Sequence, residues 1–198
     1  MGIDEDKRAT LRRFAAVGAA SPLAVVGNRD DDDSEVREAI LGYLGATPGA
    51  HFSKVRDDLK LGTGEAQHHL RRLQDDGAIV SHRDGDYRRF FQAGRFSDYE
   101  QVALGYLRRD TPRGMVVELL RDPSTTGSDL ADRLDVSRAT ISTYASELRG
   151  VGVLEAADGY RIARPETLLT LLVRYADSFD DRAATLASEA ASLVQYDP

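Results

Sequence analysis

Cysteine is absent from the 198 residues, and lysine nearly so, at three. Without thiols the chain forms no disulfide, offers a metal no thiolate and has no cysteine nucleophile. That fits a reducing interior and a cytoplasmic location. Positive charge is also scarce: the formal net charge is −7, the wrong sign for a simple nucleic-acid binder. Catalytic signatures are missing too. There is no glycine-rich phosphate loop, no nucleophile elbow and no metal-ligand spacing, so neither an enzyme nor a cofactor is expected. Gly62-Thr63-Gly64 follows no strand and reads as a turn, not a dinucleotide loop. The histidines are His51, His68, His69 and His82. His68 and His69 are adjacent, so on a helix they face different ways, and no carboxylate pattern completes a metal site. The apolar stretch from Ala15 to Gly27 is interrupted by Pro22 and is too short to span a bilayer, so no membrane partner is expected.

What the chain does have is a run from His51 to Gln92 around which the rest is organised. It reads HFSKVRDDLK, LGTG, EAQHHLRRLQDDG, AIVSHRDGDYRRFFQ. Phe52, Val55 and Leu59 fall on one helical face. Ala66, Leu70 and Leu73, at i, i+4, i+7, fall on another. The break at Leu61-Gly62-Thr63-Gly64 is so short that the two helices form a helix-turn-helix. Gly77 follows as a C′ residue, where a left-handed backbone is cheap for glycine. Ala78-Ile79-Val80 and Tyr87 to Phe91 then flank a polar turn centred on Asp84-Gly85, a hairpin signal. Helix, tight turn, helix, hairpin is a winged helix-turn-helix.

The run GTGEAQHHLRRLQDDGAIV with its charged hairpin resembles the winged-helix transcriptional regulators of the ArsR/MarR-like group, especially those of halophilic archaea. The resemblance covers about residues 34 to 96 and, more weakly, 111 to 164. It implies a DNA-binding regulator of promoter DNA. The charged residues add to it: 23 Asp against 10 Glu, and 23 Arg against the three Lys, resemble the composition of proteins from concentrated salt. The motif defines fold more tightly than function, because winged helices also serve as protein-interaction modules.

Charge is uneven along the chain. Residues 1–33 sum to −2, 34–96 to +1, 97–164 to −2 and 165–198 to −4. The one segment that is not acidic carries the first motif, as a local DNA-reading face on an acidic protein requires.

Taken in order, residues 1–33 form an N-terminal segment. Arg12-Arg13 ahead of the apolar stretch mimics an export signal, but a DNA reader outside the cell has no substrate. The segment is therefore read as an alanine-rich helix from about Asp4 to Ala20, packed on the body or mobile. Asp30 to Asp33 reads as a solvated acidic linker. Ser34 caps a helix to about Leu44 and opens the first winged domain, 34–96. A helix from Asp98 to Arg109, with Tyr99, Val102 and Tyr106 at apolar spacing, starts the second, 97–164. Thr111-Pro112 reads as N-cap and N1 of the next helix.

The motif then repeats at an offset of 75. Val55 aligns with Leu130, Leu59 with Leu134, Leu61 with Val136, Ala66 with Ile141, Leu70 with Ala145, Leu73 with Leu148 and Gly77 with Gly152. The second hairpin, Val153 to Ala163, turns at Asp158-Gly159 and has lost most of its arginines. Residues 165–198 carry two more helices. Leu168, Leu169, Leu172 and Tyr175 stripe the first, and Ala184, Ala187, Ala191 and Val194 the second. Such seams pack on the body or on a second copy, so a homodimer is expected. The fold class is mainly α with small β-hairpin wings: tandem winged helix-turn-helix domains plus C-terminal helices.

In such a fold the second helix enters the major groove of double-stranded DNA. The candidates there are Thr63, Gln67, His68, Arg71 and Arg72, beside Gly64 and Glu65. Gln67 suits adenine and an arginine suits guanine. Otherwise Arg71 and Arg72 pair at i, i+4 with Asp75 and Asp76 on a solvated surface. The wing offers Arg83, Arg88 and Arg89 to phosphate or a narrow minor groove, or as guards of a strand edge. Lys54 and Arg56 are lesser phosphate candidates. The second domain offers Ser137, Arg138, Thr140 and Thr143, with Ser142, although Ser137 is equally placed as an N-cap. The rival reading is a winged-helix interaction module of a chromosome-segregation or polymerase-associated complex. A small effector between the second domain and the C-terminal helices is a third.

Overall fold

A computed structural model describes residues 2–18, 31–156 and 159–193. Pro22, Asp30, Asp158 and Val194 therefore lie outside the described residues, as does the C-terminal end of the expected N-terminal helix, at Ala20. The chain divides into two units, Met1–Gln101 and Val102–Pro198.

In the first unit α1 (Gly2–Gly18) packs along α2 (Asp31–Ala46). Leu11 is buried between them, and the Phe14 ring meets Tyr43 edge-on at 5.2 Å. The alanine-rich segment is thus a docked helix. α2 starts three residues ahead of Ser34, so the expected linker is helical from Asp31 onward. Consecutive aspartates in a first turn favour the positive end of the helix dipole, which explains the early start. Ser34 Oγ lies 3.4 Å from Glu38 instead of capping the helix. Val36, Ile40 and Leu44 share the buried face with Ala39 and Tyr43.

The motif follows as β1 (Ala50–His51), α3 (Phe52–Asp58), α4 (Thr63–Asp75), β2 (Ile79–Asp84) and β3 (Tyr87–Gln92). The sheet is antiparallel in the order β1-β3-β2. Asp84 pairs with Tyr87, so the hairpin loop is Gly85-Asp86, one residue beyond the expected centre. A two-residue loop that matches strand twist needs positive φ at its first position, and Gly85 has φ +58°. Val55, Leu59, Leu61, Ala66, Leu70, Leu73, Ile79 and Phe90 close the core. Burying a side chain the size of Leu59 contributes roughly 1.5–3 kcal/mol.

The second unit holds most of α5 (Asp98–Leu107), then α6 (Asp110–Arg121), α7 (Gly127–Leu134) and α8 (Arg138–Gly150). After these come α9 (Pro165–Arg174), a 3-10 turn (Ala176–Ser178) and α10 (Asp181–Leu193). α5 buries Ala103, Leu104 and Leu107, a stripe one step from the expected one. α6 starts at Asp110 with Arg109 as N-cap, not at Thr111. Pro112 is accommodated because first-turn N–H groups have no intrahelical partner.

The 75-residue repeat extends to the backbone. α3 and α7 begin 75 residues apart, as do α4 and α8. Lys60 and Asp135, also 75 apart, are the positive-φ non-glycine residues among those described, at +54° and +53°. Both recognition helices end in the same double bond. Gly77 N–H donates to the Gln74 carbonyl and Ala78 N–H to that of Leu73; Gly152 N–H donates to Arg149 and Val153 N–H to Leu148. That is the Schellman motif, and it needs the positive φ of Gly77 and Gly152. The second wing departs from the first. Among the described residues it is a single bridge, Leu154 to Ile162, and not a pair of strands.

The C-terminal seam is internal to this unit. Leu168, Leu171, Leu172 and Tyr175 of the α9 region are buried, with Ala183 and Leu186 of α10. Ala184 is exposed, so α10 buries a face other than the expected one; the larger Leu186 sets it. Arg108 donates to the Ser178 carbonyl and hydroxyl at 2.6 and 3.0 Å, and lies 4.3 Å from the Phe179 ring centroid. Buried Arg113 bonds Asp110 and Asp180, both at 2.8 Å. The α9 part of the surface that suggested a second copy is thereby largely covered by the same chain, while Ala184 of the α10 stripe stays exposed.

Candidate nucleic-acid interface

α4 exists where it does because Ala66, Leu70 and Leu73 pull one face into the core. The opposite face is left to Thr63, Gln67, His68, Arg71 and Arg72, all exposed. Its start is fixed by Glu65, whose carboxylate accepts the Gly62 N–H at 3.0 Å and Lys7 of α1 at 2.8 Å. Burial works against that charge, yet the Lys7 and Gly62 bonds hold the Glu65 carboxyl below its ordinary range. Glu65 is therefore a structural residue of the helix start.

A groove of about 560 Å³ runs between α4 and the wing. Gln67, Arg71, Gln74 and Asp75 line it from α4, Arg88 and Phe90 from β3, and Phe52 from α3. A second groove of about 430 Å³, on the wing itself, is lined by Ser81, Arg83, Asp86, Tyr87 and Arg88. Arg88 belongs to both. The structure thus brings Gln67, Arg71, Arg83 and Arg88 into one strip. Thr63, His68 and Arg72 are exposed but line neither groove. Among the described residues, no ion pair joins Arg71 or Arg72 to Asp75 or Asp76, so the intrahelical pairing expected as the alternative does not form.

Arg89 is a correction. It is 3 % exposed, paired with Asp84 and donating to the Gly49 carbonyl at 3.1 Å. Side chains alternate along a strand, so Arg88 faces out and Arg89 in. It braces the wing and offers no cation to solvent. Lys54 and Arg56 are likewise engaged, with Asp58 at 2.8 Å and Asp57 at 2.7 Å.

Two histidines tune this unit. His51 is the N-cap of α3: its Nδ1 accepts the Lys54 N–H at 3.2 Å, and its ring stacks on Tyr87 at 4.9 Å. Burial, then the charges of Arg89 and Lys54, push its pKa below the ordinary value. His69 turns inward on α4, 4 % exposed, with Nε2 3.7 Å from Asp33 of α2. Burial lowers its pKa too, despite Asp33.

In the second unit Ser137 is the N-cap of α8, accepting the Thr140 N–H at 3.0 Å. Thr143 Oγ1 bonds back to the Ala139 carbonyl at 3.0 Å. Arg138 is exposed and Thr140 half-buried. Other arginines are held locally: Arg149 donates to the Gly159 carbonyl at 2.6 Å, and Arg133 pairs with Glu118 at 3.1 Å.

Sequence reasoning missed Tyr87, Gln74, Ser81, Phe52 and Phe90 as groove residues. Counting outward from a two-residue loop at Gly85-Asp86 places Tyr87 opposite Asp84 and Arg88 opposite Arg83, so that signal was present. The aromatic walls come from tertiary packing and left none.

Residues 34–104 match a family model described as an N-terminal helix-turn-helix domain, and residues 115–162 match one described as a helix-turn-helix domain. Neither the curated proteins nor the solved structures gave a match to the chain. The chain therefore carries two helix-turn-helix domains, which support a DNA-binding role of regulatory kind. Among the described residues no helix is long and apolar enough to cross a membrane.

Proposed function

We propose that the protein is a transcriptional regulator that reads promoter DNA through its first winged helix-turn-helix. The observation that carries this is the strip formed by Gln67 and Arg71 of α4 with Arg88 and Arg83 of the wing. Arg71 lies on the helix that enters a major groove in this architecture, where a guanidinium pairs with guanine and Gln67 with adenine. Arg88 and Arg83 lie where the adjacent backbone passes. Thr63, His68 and Arg72 are further contacts on the reading helix. The second domain offers Arg138 with Ser137, Thr140 and Thr143 on α8. Its wing keeps one arginine, Arg161, paired with Glu155 at 3.7 Å, so it is the lesser reader.

A homodimer would read a palindrome with half-sites about 10 bp apart or a multiple of that. Halophilic origin and the ArsR/MarR-like group belong to this reading through the resemblance and the Asp-rich, Lys-poor composition.

The test is genome-wide recovery of crosslinked DNA with the wild type and with Arg71→Ala/Arg72→Ala. Sharp promoter peaks that vanish in the variant are expected. Flat coverage in both, with a protein partner co-purifying, makes the chain an interaction scaffold and sinks the regulator reading.

A further inference from the structure

We propose that α1 is a brace across the turn of the first helix-turn-helix, and that Lys7 is a positioning residue for the reading helix α4. Asp6 and Lys7, adjacent on α1, meet the residues on either side of the turn Leu61-Gly62-Thr63-Gly64. Lys7 Nζ donates to both carboxylate oxygens of Glu65, at 2.8 and 3.0 Å. Asp6 lies 3.5 Å from Lys60, whose φ of +54° makes the left-handed step out of α3. The Asp6 pair is open to solvent and contributes little. The Lys7 and Glu65 side chains are 26 % and 31 % exposed, so water and salt screen that pair less. α1 also reaches α3: Phe14 meets Tyr43, whose hydroxyl donates to Asp58 at 2.8 Å.

On α4, Glu65 and His69 sit one turn apart, and His69 lies 3.7 Å from Asp33 of α2. At about 3.6 residues per turn, that flank is opposite the one bearing Gln67 and Arg71. Ala66, Leu70 and Leu73 are buried between the two flanks. Apolar burial is non-directional, so it fixes the depth of α4 and leaves its tilt soft. The Lys7 bond adds direction at the end of α4 that enters a groove. It also secures the first turn, because the same carboxylate accepts the Gly62 N–H at 3.0 Å. The brace deepens the DNA-reading proposal, on which its consequence rests: Gln67 and Arg71 keep their register on the bases while α1 holds the far flank.

The experiment compares the full chain with Lys7→Met, Lys7→Arg and Glu65→Gln. Glu65→Gln keeps an acceptor for the Gly62 N–H and drops the ionic partner. The first readout is hydrogen exchange of the Ala66 N–H, which bonds the Gly62 carbonyl at 2.9 Å. It is expected to quicken about two- to fivefold in Lys7→Met and Glu65→Gln, the scale of one partly exposed ion pair. The Ile141 N–H, its counterpart on α8, is the control and stays unchanged. The second readout is affinity for a promoter fragment recovered by crosslinking, relative to a shuffled fragment of equal composition. Lys7→Met removes a positive charge and Glu65→Gln a negative one, so a general charge effect drives the two variants apart. Positioning instead lowers the promoter-to-shuffled ratio in both, by about two- to fivefold. Lys7→Arg keeps the ratio, because a guanidinium bridges the same carboxylate. Unchanged Ala66 exchange in Lys7→Met, or a ratio that is unmoved or moves oppositely in the two variants, overturns the brace. If the wild type recovers no promoter fragment while Ala66 exchange quickens in both variants, the brace stands and the DNA-reading proposal fails alone.

Discussion

Arg88 and Arg89 are neighbours on β3 with opposite tasks, one open to the grooves and one closed on Asp84. Removing Arg89 alone takes the guanidinium away from a buried carboxylate. Arg89→Met is expected to cost about 3–5 kcal/mol in urea unfolding, and Arg89→Met with Asp84→Leu to recover most of it. If the single variant unfolds like wild type, the pair does not brace the wing. The histidines give a pH signature. The pKa values of His51 and His69 lie below the ordinary 6.5, so in the window beneath 6.5 the unfolded chain binds the protons first. Their contribution is full above that window and is lost as pH falls through it. His51→Asn keeps a capping acceptor but not the titration. Combined with His69→Gln, it is expected to flatten the urea midpoint between pH 7 and 5, which a pH series of unfolding curves checks.

At the scale of elements, turn chemistry carries the helix ends. A Cβ at Gly77 meets nothing within 4 Å, so the obstacle to Gly77→Ala is its φ of +70° alone. That substitution is expected to cost about 1 kcal/mol, or about 4–8 °C in Tm for one unit, read by calorimetry. The amphipathic stripes and paired glycines made α3, α4, α7 and α8 legible in the sequence, together with the first hairpin. β1 was not legible, because two residues have no periodicity and Ala50-His51 is a strand only by pairing with Phe90 and Arg89. The second wing reads as a hairpin by its apolar ends, and among the described residues the Leu154–Ile162 bridge is flanked by the bonds from Glu155 N–H to the Arg161 carbonyl and from Ala163 N–H to the Val153 carbonyl. The buried face of α10 was misjudged because alanines suit either side of a helix, and Leu186 decides. Of the site, Gln67 and Arg71 were legible by type and helix position, and Arg83 and Arg88 by their place beside the hairpin turn. Arg89 was misplaced for want of the strand's period of two.

For the whole molecule the governing quantity is charge. A chain of net charge −7 gains little from general attraction to phosphate. At 1 M salt the Debye length is about 3 Å, so hydrogen bonds and fit must hold the duplex. The salt slope of DNA binding is therefore expected to be shallower than for a basic repressor, measured by anisotropy across a salt series; a steep slope sinks this view. The repeat has its own consequence. Lys60 and Asp135 set the same left-handed step, Gly77 and Gly152 the same exit, and the 13 residues of α4 correspond one for one with the 13 of α8. The second helices of the two motifs are interchangeable cassettes of one frame. The exposed positions of either can be transplanted into the other without insertion or deletion, so the outward faces can be recombined while both cores stay as they are.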